Sequence, residues 1–295
     1  MEIKKVNRLV PGDRIGICAP SGSFDRERLD RGVKLITEMG FNVYVPDLIC
    51  RKTRYLAGSD SQRAAVVNAL FSNRDIKGIV CARGGFGAMR MLPFVDFEMI
   101  KKNPKVFAGF SDATALLTVF ERMCGFQVIH GPVVTSLVGA SSQTIDSFFT
   151  ALTVSKKDKA LTGKRSLVQG KARGILSGGN LATLCHLTGT QFQPEFRDKI
   201  LFMEEVSEKP YRIDRMLSQM KMAGVFQGIK GVAAGSFEAC GREDMLEEIL
   251  IDVFDEFQVP VITGVEAGHG KHNFSLSFGT KAFLDAEQCL LICDV

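Results

Sequence analysis

Between residues 14 and 134 the chain alternates short β-rich apolar runs with stretches whose apolar residues recur at helical spacing. This alternation narrows the possible folds more than any other feature. "RIGICAP" leads into "DRERLDRGVKLITEMG", a helix ended by Gly40, whose missing Cβ suits the left-handed position beyond a helix C-terminus. "FNVYVP" follows, then a helix opened by Ser59-x-x-Gln62, the spacing of a capping box. "IKGIVCA", a glycine-rich loop, a short helix, "KVFAGF", a further helix and "FQVIHGPVV" continue the rhythm. Strands alternating with helices predict a parallel sheet flanked by helices, and ligands bind beyond the carboxyl ends of such strands. Ser111, the loop "ARGGFGAMR" and His130 all fall just after predicted strands, where a single crevice can hold them.

A chain of 295 residues has room for two domains with proper cores. Residues 1–155 are expected to form the first. Around residues 155–172 the pattern breaks into "SKKDKALTGKRSLVQGKA", charged and weakly periodic, which reads as a linker over 156–172. Residues 173–295 then hold "RGILSGGNLATLCHLTG", a strand "KILFMEEV", a helix "PYRIDRMLSQMKMAG", a strand "GVAAGSFEAC", a helix "EDMLEEILIDVFDEF" and several C-terminal strands. This less regular mixture fits either an α/β or an α+β domain.

Composition removes several classes of function. Lys plus Arg number 37 against 33 Asp plus Glu, and the net charge of +4 is scattered, which gives nucleic-acid binding no support. No apolar run approaches the ~20 residues of a membrane span, and "MEIKKVNRLVPGD" lacks the apolar segment of a secretory signal. The expectation is a soluble, cytoplasmic protein. The eight cysteines sit mostly in apolar segments without a C-x-x-C, so they read as buried thiols rather than a disulfide framework or a zinc site. No metal or cofactor is expected.

The stretch "KVFAGFSDATALLTVF" places Ser111 between a buried strand and a helix whose apolar face is Ala113, Leu116, Leu117, Phe120 and Met123. Such a turn pushes a side chain out of the sheet end, as in a nucleophile elbow, although Ala113 stands where G-x-S-x-G has its second glycine. The alternative is that Ser111 or Asp112 merely caps the helix. A serine nucleophile needs a base, and there are four histidines. His186 lies within a helical pattern and reads as structural. His130 ends a strand, and His272 shares a loop with His269. His269, flanked by Gly268 and Gly270 in a loop with little bulk, is the first candidate. A base needs a third group to orient it, and "LFMEEV" offers Glu204 and Glu205. Strand alternation sends them to opposite faces without saying which faces inward, and a salt bridge to Arg212 or Arg215 is the bland alternative. Gly84, Gly85 and Gly87 permit close backbone approach, as an oxyanion hole or a phosphate requires. A dinucleotide fingerprint is not completed, because Gly85-x-Gly87 ends at Arg90.

Seven segments in order, from "PGDRIGICAPSG" and "YLAGSDSQRAAVVNALFSNRDIKGIVCARGGFGAMRMLP" through "GFSDATALL", "HGPV", "GILSGGNLATL" and "LFMEEVSEKPYRIDRML" to "GVEAGHGKHNFSLSFG", resemble the LD-carboxypeptidase family. These are serine peptidases that trim bacterial cell-wall peptides, with microcin C self-immunity peptidases as relatives. The resemblance covers nearly the whole chain. It implies an α/β fold with a Rossmann-like N-terminal domain and a smaller β-rich C-terminal domain, an active site at their junction, and a homodimer. It marks Ser111 as nucleophile, Glu204 as the acid and His269 as the base. Phe86 and Phe110 stand where the family often has tyrosine, and Ser277 where proline is common.

The expected reaction is hydrolysis of the L,D amide bond between a diamino acid and the terminal D-alanine of a murein tetrapeptide, through an acyl-enzyme. Backbone N–H groups of Gly85 and Asp112 are the expected oxyanion donors, and Gly84, Phe86 and His130 the expected substrate contacts. The alternatives are cleavage of a peptidyl-nucleotide amide, as in microcin C immunity, or a non-catalytic site for a small ligand.

Overall fold

The computed structural model describes residues 3–154 and 158–294. The chain divides into two compact units between residues 155 and 156.

The first unit is built on parallel strands β1 (Arg14–Cys18), β2 (Asn42–Tyr44), β3 (Ile76–Cys81), β4 (Val106–Gly109) and β5 (Val128–His130), paired in the order β5-β4-β3-β1-β2. β4 is buried at every residue and β3 at all but Lys77, as expected of strands covered on both faces. The connecting helices follow their sequence signals. Asp25 caps Arg26–Glu38 by accepting from the Arg28 N–H, and Ser59 with Gln62 completes a reciprocal capping box on Asp60–Ser72. Phe107 and Phe120 meet edge to face at 4.9 Å, and Phe71 meets Phe120 at 5.3 Å, which ties β4 to its neighbouring helices.

This strand order is doubly wound, and it reverses between β1 and β3, where such sheets open a crevice. The loops leaving these two strands are joined there, because the Gly22 N–H donates to the Gly84 carbonyl at 3.1 Å. The glycine-rich loop therefore stands at the switch point. The segment after β4 is not one helix. It runs as a 3₁₀ turn Ser111–Ala113, an α-helix Thr114–Val119 and a π turn Phe120–Cys124, and Met123 is only half-buried.

The second unit holds β6 (Asp158–Thr162), β7 (Arg165–Val168), β8 (Lys171–Asn180), β9 (Lys199–Val206), β10 (Gly231–Glu238), β11 (Val261–Thr263), β12 (Leu276–Phe278), β13 (Lys281–Asp285) and β14 (Leu290–Asp294). Eight of these strands form one sheet in the order β6-β14-β13-β8-β9-β10-β11-β7. Its centre, β8 to β11, is parallel, and both margins are antiparallel. Helices Leu181–Leu187, Pro210–Met222 and Glu243–Phe254 bury Leu184, Leu217 and Leu250 in a core with Leu201 and Met203 of β9 and Val232 and Ala234 of β10. The alternate β9 residues, Phe202 and Glu204, belong to the other face.

The stretch read as a linker is corrected here. Residues 155–157 lie outside the described residues, but 158–168 supply β6 and β7, the two edges of the second sheet. Lysine and arginine are common devices for keeping an edge strand from pairing with other chains, so the charge that resembled a linker belongs to protected edges. Among the described residues, no helix is long and apolar enough to cross a membrane.

Candidate active site

Ser111 is the second residue beyond the fully buried strand β4, after Phe110, and its φ is +61°. A non-glycine residue in this left-handed region costs about 1–2 kcal/mol. The turn is flanked by the buried Phe110 and Ala113. The strain has a geometric result: the serine side chain is turned toward the glycine-rich loop. A Cβ added at Gly84 would lie 2.9 Å from both Cβ and Oγ of Ser111, so only glycine allows this approach. Gly85 follows in the same loop, and Phe86 stands 42% exposed beside Tyr55, with ring centroids 6.1 Å apart.

The loop is fastened from behind by charge. The Asp112 carboxylate, almost fully buried, accepts from the Ala88 N–H at 2.8 Å. Burial pushes this carboxyl up, against the donated hydrogen bonds and the charge of Arg63. Arg63 is itself buried; it donates to the Gly87 carbonyl at 2.8 Å and to the Pro20 carbonyl, and pairs with Asp60, which also holds Arg90 at 2.7 Å. The Asp112 carboxylate therefore serves the glycine-rich loop and does not cap its own helix, where no side-chain cap is formed. Asp112→Ala is expected to leave the buried Ala88 N–H unpaired, costing about 1–3 kcal/mol. Calorimetry then reads a Tm drop of roughly 2–4 °C per kcal/mol. Asp112→Asn, which keeps an acceptor, is expected to retain most of that stability.

In the second unit, Glu204 is fully buried near the end of β9, and its Oε2 lies 2.5 Å from Nδ1 of His269. The same oxygen accepts the His269 backbone N–H at 3.1 Å. The neutral imidazole therefore carries its proton on Nδ1 and leaves Nε2 as the acceptor. The His269 side chain is 19% exposed. Burial pulls its pKa down, but the hydrogen bond and negative charge of Glu204 outweigh this and hold it above the ordinary value. Gly268 has φ +104°, and a Cβ there would lie 2.6 Å from Glu204 Oε2, so glycine before the histidine is a steric requirement of the pair.

Glu205 faces the other way. It accepts from Asn180 Nδ2 at 3.0 Å, the Ala182 N–H at 2.7 Å and the Val206 N–H at 2.8 Å, which anchors the start of Leu181–Leu187. Neither glutamate takes the alternative salt bridge: Arg212 pairs with Glu208 at 3.4 Å, and Arg215 lies over the Tyr211 ring. Each of the other histidines has surroundings of its own. His186 is exposed on its helix, and His272 stacks on Phe274 at 5.6 Å. His130 has no exposed surface and sits edge-on to Phe110 at 6.1 Å, so it braces the residue before Ser111 instead of offering a substrate contact. Six cysteines are buried, Cys289 is half-buried, and Cys50 is exposed, against the expectation of uniform burial. Among the described residues, no three His, Cys, Asp or Glu side chains are grouped to hold a metal ion.

The first unit thus carries a serine on a left-handed strand-to-helix turn, and the second carries a histidine oriented by a buried carboxylate. Residues 15–131 match the LD-carboxypeptidase N-terminal domain, and residues 173–284 match the LD-carboxypeptidase C-terminal domain. The chain is 34% identical to a probable murein peptide carboxypeptidase of Bacillus subtilis, over 96% of this chain and 92% of that one. An MccF-like protein from Bacillus anthracis superposes with a TM-score of 0.92 at 27% identity, covering 98% of this chain and 99% of that one. A muramoyltetrapeptide carboxypeptidase from Oxalobacter formigenes superposes with a TM-score of 0.85 at 28% identity, covering 95% and 98%. The chain belongs to the LD-carboxypeptidase family and is a hydrolytic peptidase.

Proposed function

We propose that this protein is a serine-type LD-carboxypeptidase that releases terminal D-alanine from murein tetrapeptides recovered in the cytoplasm. The observation that carries the reading is the 2.5 Å contact between His269 Nδ1 and the buried Glu204, which fixes the tautomer a general base needs. The strained Ser111 turn and the murein-peptide names of two relatives support it. In the proposed reaction, Ser111 Oγ attacks the carbonyl before D-alanine while its proton passes to His269 Nε2, and Glu204 stabilises the imidazolium. The Gly85 and Asp112 N–H groups hold the oxyanion, each such donor being worth about 3 kcal/mol of barrier. His269 returns the proton to the amine of D-alanine, which departs. Water, deprotonated by His269, then releases the murein tripeptide from Ser111.

The base acts only when neutral, and the pair with Glu204 raises its pKa, so activity is lost as pH falls through a value above the ordinary imidazole value of about 6.5. A profile of kcat/KM against pH is expected to show its acid limb there. In Glu204→Gln the limb moves to lower pH, because burial then acts without the opposing carboxylate.

The likeness to an MccF-like structure favours one second reading, cleavage of a peptidyl-nucleotide amide. Incubating the protein, with chelator present, with a murein tetrapeptide and separately with a peptidyl-nucleotide decides between them. Free D-alanine from the tetrapeptide is the expected result. Turnover of the peptidyl-nucleotide alone replaces the first reading with the second, and turnover of neither leaves a ligand-binding role.

A further inference from the structure

The loop that carries His269, residues 264–275, contains no helix or strand and is held in shape by side chains. One of them is Ser236, which no sequence motif singled out. Its Oγ accepts the Gly270 N–H at 2.9 Å and donates to the Ala267 carbonyl at 3.1 Å, so it grips the chain on both sides of His269. The Ser236 backbone N–H adds a third bond, to the same Ala267 carbonyl, at 3.0 Å. The strand beneath is irregular at this place. The register between β9 and β10 holds up to Ala234 and resumes, shifted, at Phe237, so Gly235 and Ser236 form a bulge. A bulge re-aims side chains, and this one also makes room. A Cβ at Gly235 would lie 2.7 Å from the Ala267 carbonyl, and one at Gly270 would lie 2.9 Å from Ser236 Cβ. Bulge and loop are fitted to each other at the histidine.

We propose that Ser236 is a positioning residue of the reaction. Glu204 fixes the imidazole from its Nδ1 side, and Ser236 fixes the backbone on either side of His269, so that Nε2 keeps a single direction. The role rests on the reading of His269 as the general base.

The test compares wild type with Ser236→Ala, Ser236→Cys and Ser236→Thr in D-alanine release, thermal unfolding and the proton NMR signal of the His269 Nδ1–H, assigned by its loss in Glu204→Gln. Ala and Cys are expected to lower kcat about 10–100-fold, the range in which small misplacements of a reacting group act. KM is expected to stay within about twofold, as binding groups are untouched. The Nδ1–H signal should broaden in both, and Thr, which keeps the hydroxyl, should restore both signal and rate. A kcat within twofold of wild type in Ala and Cys, or a loss that only follows the folded fraction and is not rescued by Thr, overturns the proposal. If wild type releases no D-alanine, the assigned reaction fails on its own. The NMR comparison still decides Ser236: an unchanged Nδ1–H signal in both variants overturns its role.

Discussion

Ser111→Ala is expected to lower kcat for D-alanine release by a factor on the order of 10⁶, the scale seen when triad hydrolases lose their nucleophile. The protein should remain folded. Alanine bears the same left-handed backbone burden as serine, and Phe110 and Ala113, both buried, still hold the turn. Calorimetry should therefore give a Tm close to that of wild type, and KM should change little. A helix-capping serine predicts the opposite pattern, in which Tm falls by the loss of a cap, about 1 kcal/mol, and turnover survives. The two roles of Ser111 thus separate in one variant.

The second large effect is unequal between neighbours. Glu204→Gln keeps the shape of the side chain but removes the charge that orients Nδ1–H and stabilises the imidazolium, and a loss of about 10⁴-fold in kcat is expected. Glu205→Gln acts elsewhere. Its carboxylate accepts three N–H donors, and an amide nitrogen placed against them leaves a donor unpaired, at a cost of about 1–3 kcal/mol. Stability should fall while kcat per folded molecule stays within several-fold. Rates normalised to the folded fraction check this, and equal modest losses in both variants would assign Glu204 a structural role alone.

The parallel unit was legible in the sequence because each of its signals is local. The capping box at Ser59 and Gln62, the glycine after Glu38 and Met39, and the serine after a buried strand all act within a few residues. Information about faces was only half legible. Period-two alternation places Glu204 and Glu205 on opposite sides, but the side that meets His269 depends on a loop more than 60 residues downstream. β6 and β7 were missed because edge strands carry the same charges as a solvated linker. The reach of the Asp112 carboxylate to Ala88 and the role of the Ser236 hydroxyl were missed for a related reason. Each acts through the backbone of a segment distant in sequence, and a register shift in β10 leaves no pattern of residue types. His130 ends a strand, as expected, yet the ring is enclosed beside Phe110, a fact of packing that one sequence does not record.

In the proposed reaction Ser111 carries the acyl group during turnover. Acid quenching of the protein with a murein tetrapeptide in the pre-steady state, followed by peptide mass spectrometry, tests it most directly. The peptide containing Ser111 is expected to gain the mass of the tetrapeptide less D-alanine, and Ser111→Ala to show neither the adduct nor turnover. An adduct on another residue, or Ser111→Ala turning over within a few-fold of wild type, would contradict it.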